Sequence, residues 1–505
     1  MLAANGFDND RYLDQQTAAI LDRVQGFQGK LYLEFGGKLL FDYHASRVLP
    51  GFDPNVKRRL LQKLRDQSEV LLCIYAGDIE RRKMRADFGI TYDSDALKTI
   101  DELREWGVTV RAVIITRFDG QSAARSFQHK LEHRGIRVYT HQATKGYPTD
   151  VDTIVSPEGY GANPHIETER PIVVVTGPGP GSGKLATCLS QLYHEHHRGC
   201  CAHYAKFETF PIWNLPLQHE VNVAYEAATA ELKDVNQIDH FHLEAYQQPA
   251  VNYNRDLEAF PLVRRILERI TGQPSCYRSP TDMGVNRAGF GIVDDAACRA
   301  AARQEIIRRY YHYSCEYVVG LVSRDTVQRV ELLLRDLGLT TADRAVVRPA
   351  HDAAREAQAR GKGTDGIFCG AALELPDGEI ITGRNSPLMH AAASVVLNAI
   401  KHLAGIPDRI HLLPPVVTTS LTHFKRDVLR GKSTSLDLEE TLIALGISAN
   451  LNPAAETAVE RLQDLRGCEL HLTHLPTPGD AAGLRKLGIN ATSEPEFATK
   501  SLFVG

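Results

Sequence analysis

Residues 172–187 read IVVVTGPGPGSGKLAT. Four β-branched residues in a row and Thr176 make a short buried strand. Gly177 to Gly183 form a glycine-proline loop that can continue neither strand nor helix. A helix leaves the loop, because Leu185, Cys188, Leu189, Leu192 and Tyr193 recur at i, i+3, i+4, i+7 and i+8 and share one apolar face. Strand, glycine loop and helix in succession open a βα unit. The fold class this predicts is α/β, with a parallel sheet covered by helices.

The same alternation extends toward the N-terminus. Residues 70–75, 108–116, 136–139 and 152–155 read as strands. Helices are expected over 97–106, stopping at Gly107, and over 123–133, stopping at Gly135. This predicts a Rossmann-like, doubly wound domain over 1–168, with the Pro-, Gly- and Asn-rich stretch 156–169 as a linker. A second α/β unit over 169–340 adds strands near 203–207 and 238–243, then helices over 262–270, 296–311 and 326–337. The third, over 341–505, reads as a C-terminal α/β or α+β domain. Pro376-Asp377-Gly378 predicts a hairpin between 372–375 and 380–382. Ser386-Pro387 is expected to open a helix carrying Ala392, Val395, Val396, Ala399, Ile400 and Leu403 on its apolar face. Asn452-Pro453 is expected to open another that stops at Gly467.

Composition narrows the partners. The 505 residues carry 58 basic and 62 acidic side chains, a net charge of −4. No electrostatic footprint for nucleic acid is present. No apolar run approaches the roughly 20 residues a membrane span needs. The first residues hold Asp8, Asp10 and Asp14 without an apolar core, so no secretory signal is expected. Nine cysteines, an odd number with no CxxC, argue against a disulfide framework and for a reducing cytoplasm.

The glycine loop is the segment richest in chemistry. Its glycines would let backbone N–H groups turn toward a phosphate at a helix N-terminus, and Lys184 would add a point charge. The phosphate-binding residues expected are Gly179, Gly181, Ser182, Gly183 and Lys184. The segment resembles the P-loop of nucleotide kinases, so the second unit is expected to be P-loop-like. Two positions depart from that motif: Pro178 replaces a glycine, and Leu185 replaces the hydroxyl residue that would hold Mg²⁺. Thr187 is not equivalently placed, and a magnesium cofactor is in doubt. The competing reading is a tight βα turn that needs glycine for geometry alone. Catalytic, metal-recruiting acids at a strand end would be Asp294, after Phe290-Gly-Ile-Val, or Asp239; either could equally cap a helix.

Cys468-Glu-Leu-His-Leu-Thr-His474 invites a zinc reading through Cys468, His471 and His474. In a strand, however, His471 would face away from Cys468 and His474. Histidines 194, 196 and 197 fall at a helix end, where they complement the dipole. Residues 34–38 (EFGGK) resemble the first strand and glycine pair of amino-acid kinases, with Glu34 where those carry lysine; a β-turn is the alternative. Residues 371–390 are similar to the hairpin-then-helix start of cytidine deaminases. Ala392 stands in the place of their glutamate and no PCxxC follows, which excludes that chemistry. Polar loops at 42–47, 206–214, 282–286 and 383–387 suggest a polar cleft between domains.

Five segments together carry a whole-chain resemblance: 32–38 (YLEFGGK), 42–51 (DYHASRVLPG), 176–184 (TGPGPGSGK), 385–391 (NSPLMHA), and Thr473-His474 with Pro478-Gly-Asp480. The chain resembles the bacterial family called domain of unknown function 1846, or uncharacterised protein family 0371. The resemblance implies no activity. The residues favour an enzyme that binds a nucleotide or another phosphorylated small molecule, transferring phosphoryl or nucleotidyl groups. A non-catalytic phosphate-ligand sensor or scaffold and a metal-dependent hydrolase are the alternatives. The expected partner is a small molecule, with neither nucleic acid nor membrane, in a homo-oligomer.

Overall fold

A computed structural model describes residues 5–499 except 28, 86, 87, 365 and 432. The chain divides into two compact units, 4–302 and 303–505. The first is built on strands β1 (Lys30–Phe35), β2 (Ser68–Tyr75), the short ribbon β3 (Met84–Arg85) and β4 (Ile90–Thr91), then β5 (Val110–Thr116), β6 (Val138–His141), β7 (Ile172–Thr176) and β8 (Ala202–Phe207). Six of them make one sheet in the order β6-β5-β2-β7-β1-β8, and each pairing within it is parallel.

Burial on both faces explains the apolar runs in β2, β5 and β7. On one face Cys73, Val173 and Val175 meet Cys188, Leu189 and Leu192 of the helix Lys184–His197. On the other, Leu31, Leu33 and Val174 meet Leu13 and Ile20 of the helix Asn9–Phe27 and Leu60 and Leu61 of the helix Val56–Lys63. Helices Tyr92–Glu105 and Ser122–Glu132 cover β2 and β5 through Ile100, Phe127 and Leu131.

The domain border expected at 168 is corrected by this sheet. β7 and β8, from beyond that position, lie on either side of β1. The linker expected over 156–169 instead supplies Tyr160 and Ile166 to the core around the helix Lys184–His197. Residues 152–155, read as a strand, fall at a helical turn, Val151–Ile154, whose Thr153 N–H Asp150 caps. The strand expected over 238–243 ends early. β9 (Asn236–Ile238) pairs antiparallel with β10 (Val251–Tyr253), and a helix, His240–Tyr246, follows at once.

The second unit holds a four-stranded sheet: β11 (Gly370–Glu374), β12 (Ile380–Arg384), β13 (Glu469–Leu472) and β14 (Asn490–Ser493), in the order β12-β11-β13-β14. β11 runs antiparallel to both neighbours, while β13 and β14 are parallel. The helix Ala391–Leu403 lies so close to β12 that a Cβ on Gly383 would fall 2.3 Å from Val395 N. The helix Val347–Ala359 approaches the opposite face, where a Cβ on Gly370 would meet Ala350 O at 2.1 Å. The expected helix start at Ser386 is also corrected. Ser386 Oγ accepts N–H bonds from Leu388 and Met389 in a turn, and the helix begins at Ala391 with His390 as its N-cap. No helix among the described residues is long and apolar enough to cross a membrane.

Candidate functional site

In a parallel sheet every strand delivers its following loop to the same edge, and ligands bind there. β7 is an interior strand, and its loop, 177–183, leads directly into the helix Lys184–His197. Gly181 (φ 72°) and Gly183 (φ 91°) take left-handed backbone that lets the loop fold over the helix end. Gly177, Gly179 and Gly183 also admit close neighbours. A Cβ at these positions would meet Cys73 O at 2.4 Å, Tyr92 OH at 2.5 Å and the Thr116 side chain at 2.7 Å. Packing geometry therefore accounts for part of the glycine pattern. Thr116 Oγ1 donates to Ser182 O at 2.8 Å. Arg117 adopts left-handed backbone (φ 50°), stacks its guanidinium 3.5 Å over Tyr75 and donates to Gly181 O.

Packing does not account for the polar groups. Lys184 is nine-tenths buried, and its Nζ makes only long contacts, 3.4 Å to Gly179 O and 3.5 Å to Ser182 Oγ. It forms no ion pair among the described residues. The backbone N–H groups of Gly179, Gly181, Ser182, Gly183 and Lys184 likewise donate to no acceptor among them. A buried cation normally has a partner, and an anion at a helix N-terminus would supply one. Thr187 cannot replace the missing metal-binding hydroxyl: it is fully buried and accepts from Cys73 Sγ at 3.4 Å.

A second polar group lies on the same sheet edge, two strands away. β1 and β8 place Glu34 and Lys206 side by side in register. Tyr204 OH donates to Glu34 Oε2 at 2.7 Å. Lys206 pairs with Asp256 at 2.5 Å and Glu208 at 3.2 Å, and Tyr253 OH donates to both Glu208 oxygens at 2.9 Å. One ammonium thus serves two carboxylates. Burial, assisted by the Asp256 charge, pushes Glu208 up to about 7. Burial also works against the Lys206 charge, but Asp256 and Glu208 outweigh it and hold the ammonium above its usual range. Gly36 permits the arrangement, since a Cβ there would lie 2.3 Å from Glu208 Cγ. The expected polar loops 206–214 and 282–286 meet here. Lys206 bridges Gly284, and Asn286 Oδ1 accepts from Glu208 N at 2.7 Å. Together Lys206, Glu208, Trp213, Asn252, Asp256 and Asn286 line a small cleft.

The two expected metal-recruiting acids lie elsewhere. Asp239 is fully buried and caps the helix His240–Tyr246, accepting from His242 N at 3.0 Å and from Thr281 N and Oγ1 at 3.1 and 2.7 Å. Its strand is in the β9–β10 ribbon, outside the parallel sheet. Residues 290–294 form no strand of that sheet, and Asp294 accepts from Ala297 N at 3.0 Å as a helix cap.

In the second unit, β13 sends Leu470 and Leu472 into the core beneath the helix Ala391–Leu403, joined by Cys468 just before it, whereas His471 faces the other way, beside Thr492. Segments 385–391, 473–474 and 478–480 come together around Asp480. Its Oδ2 meets His390 Nδ1 at 2.8 Å and accepts from Thr477 Oγ1 at 2.7 Å, while Oδ1 accepts from Leu438 N at 2.9 Å. Burial opposes the His390 charge, but Asp480 outweighs it and raises the imidazole. Burial pushes nearby His474 down to about 4.

Two family models match the chain. Domain of unknown function DUF1846, N-terminal, covers residues 5–338, and its C-terminal counterpart covers 342–503. Curated relatives are equally extensive. A UPF0371 protein of Clostridium botulinum (strain 657 / Type Ba4) is 56% identical over 498 residues, 99% of each chain. One from Clostridium tetani (strain Massachusetts / E88) is 55% identical over 498 residues, again 99% of each.

Proposed function

The chain belongs to the DUF1846 family of bacterial proteins, whose descriptions carry no activity, and we propose that it binds a phosphorylated small molecule, nucleotides included, at the edge of its six-stranded sheet. The observation that carries this reading is the buried Lys184 ammonium without a counter-charge, in a loop where five N–H groups donate to no acceptor among the described residues. A phosphate would pair with the lysine, take the N–H bonds and sit on the positive end of the helix Lys184–His197. Leu185 and the buried Thr187 leave the loop without a magnesium ligand, so the phosphate is taken as such rather than as a metal chelate.

The protein acts on this ligand as an enzyme. Glu208, held near 7 by burial, is poised to take or give a proton at neutral pH. β7 and β8 are separated by one strand, so the two groups lie roughly 10 Å apart across the sheet edge, the span of a small phosphorylated substrate. If a phosphoryl or nucleotidyl group is transferred, charge and positioning from Lys184, Arg117 and Lys206 do the work. Free thiols such as Cys73, Cys188 and Cys369 suit a reducing cytoplasm.

Isothermal titration with ATP, GTP, NADP and sugar phosphates tests the reading. Binding of at least one of them, lost in Lys184→Ala, is expected. No heat with any phosphate ligand would sink it. Turnover of the bound ligand, absent in Glu208→Gln, separates an enzyme from a sensor.

A further inference from the structure

We propose that His351, His471 and Glu494 form a binding site for one divalent transition-metal ion of the zinc type. The site lies within 303–505 and stands independently of the phosphate reading. The helix Val347–Ala359 supplies His351, β13 supplies His471, and Glu494 follows β14. The three donor atoms lie within 4.8 Å of one another.

Hydrogen bonding engages one nitrogen of His471 and leaves the other. Thr492 Oγ1 donates its proton to Leu470 O at 3.1 Å and accepts from Arg344 Nε at 2.9 Å. Its 2.9 Å contact with His471 Nδ1 engages that nitrogen in either tautomer. His471 Nε2 is the nitrogen left for a ligand. The residue is fully buried, and Nε2 has no hydrogen-bond partner among the described residues. It faces Glu494 Oε1 at 3.3 Å. A metal ion between the two would take a lone pair from each.

The geometry suits a metal. A ligand–ligand distance of 3.3 Å matches the edge of a tetrahedron with bonds of about 2.0 Å. His351 Nε2 hydrogen-bonds the same Glu494 oxygen at 2.9 Å, a contact that a shared metal ion would replace. Two imidazoles and a carboxylate select zinc-like ions over magnesium or calcium. Thr492 and Arg344 orient the His471 ring as outer partners do at metal-bound histidines. The His351 side chain is 43% exposed, which leaves a fourth position open to water.

The test uses the full chain, stripped by dialysis against chelator and titrated with ZnCl₂, with Co²⁺ absorption as a second readout. One zinc per chain is expected, bound at least about 100-fold more weakly by His351→Ala and by the isosteric Glu494→Gln. Wild-type protein should give tetrahedral Co²⁺ bands that both variants lack. Circular dichroism establishes that the variants fold, and His351 is exposed enough for its removal to be tolerated. Absence of stoichiometric zinc in the wild type overturns the proposal. So does undiminished binding by the variants, or a loss that follows His402→Ala in the exposed group Asp377, Glu379 and His402 instead.

Discussion

Lys184 holds its ammonium under the glycine loop with no acidic side chain paired to it. Lys184→Met keeps most of the side-chain volume and removes the charge. Stability should change by less than about 1.5 kcal/mol, measured by urea unfolding, while phosphate binding disappears. Glu208 makes a prediction of its own. The folded chain keeps this proton to about pH 7, whereas an ordinary glutamate releases it near 4.5. The folded state thus binds the extra proton between these values, and the contribution of Glu208 to stability falls as pH rises across the window. Relative to Glu208→Gln, the wild type should lose melting temperature from pH 5 to pH 8; parallel profiles would contradict the assignment. The histidines act in the opposite sense. Burial pushes both His141 and His474 down to about 4, so unfolded histidine binds protons that the folded state refuses. Their contribution is complete above about pH 6.5 and is lost as pH falls toward 4. His141→Gln should flatten the acid limb of the melting profile for the unit 4–302.

Among the elements, contact between helix and sheet depends on a few missing side chains. Gly383→Ala would drive a methyl group into the backbone of the helix Ala391–Leu403 at Val395. A loss of about 1–3 kcal/mol is expected from chemical denaturation. The helix after the glycine loop and the hairpin at Pro376-Asp377-Gly378 were legible in sequence because periodicity and turn chemistry agree there. The helix start at Ser386 was not. Its hydroxyl serves N–H groups two and three residues on, as a cap would, but Met389 then bridges Leu436 and the chain stays extended to His390. Residues 153–155 are β-branched and read as strand, yet Asp150 caps a helical turn there. The sites divide in the same way. The glycine loop is contiguous and could be read. The group around Glu208 draws on Glu34, Lys206, Tyr253 and Asp256, and His471 meets its partners from residues 351 and 494; spacing within one segment reveals neither.

Across the molecule, the parallel sheet weaves the chain more tightly than alternation along the sequence suggests. β1 reads as a half-polar strand because Lys30 and Glu34 have buried partners, Glu195 and Tyr204. With β7 inserted between β2 and β1, a fragment ending at residue 168 lacks a strand from the middle of its own sheet. That fragment should show no cooperative melt, whereas a fragment ending at residue 302 should melt as one transition. The near-neutral charge of −4 accords with the small ligand proposed for the sheet edge. Whether the glycine loop is that ligand's phosphate site can be observed directly. Crystals of the full chain, grown without sulfate or phosphate and soaked in pyrophosphate, should show an anion within hydrogen-bond distance of Lys184 Nζ and the N–H groups of Gly181 and Gly183. A loop left empty by the soak, with Lys184 Nζ still on Gly179 O and Ser182 Oγ, would contradict the account.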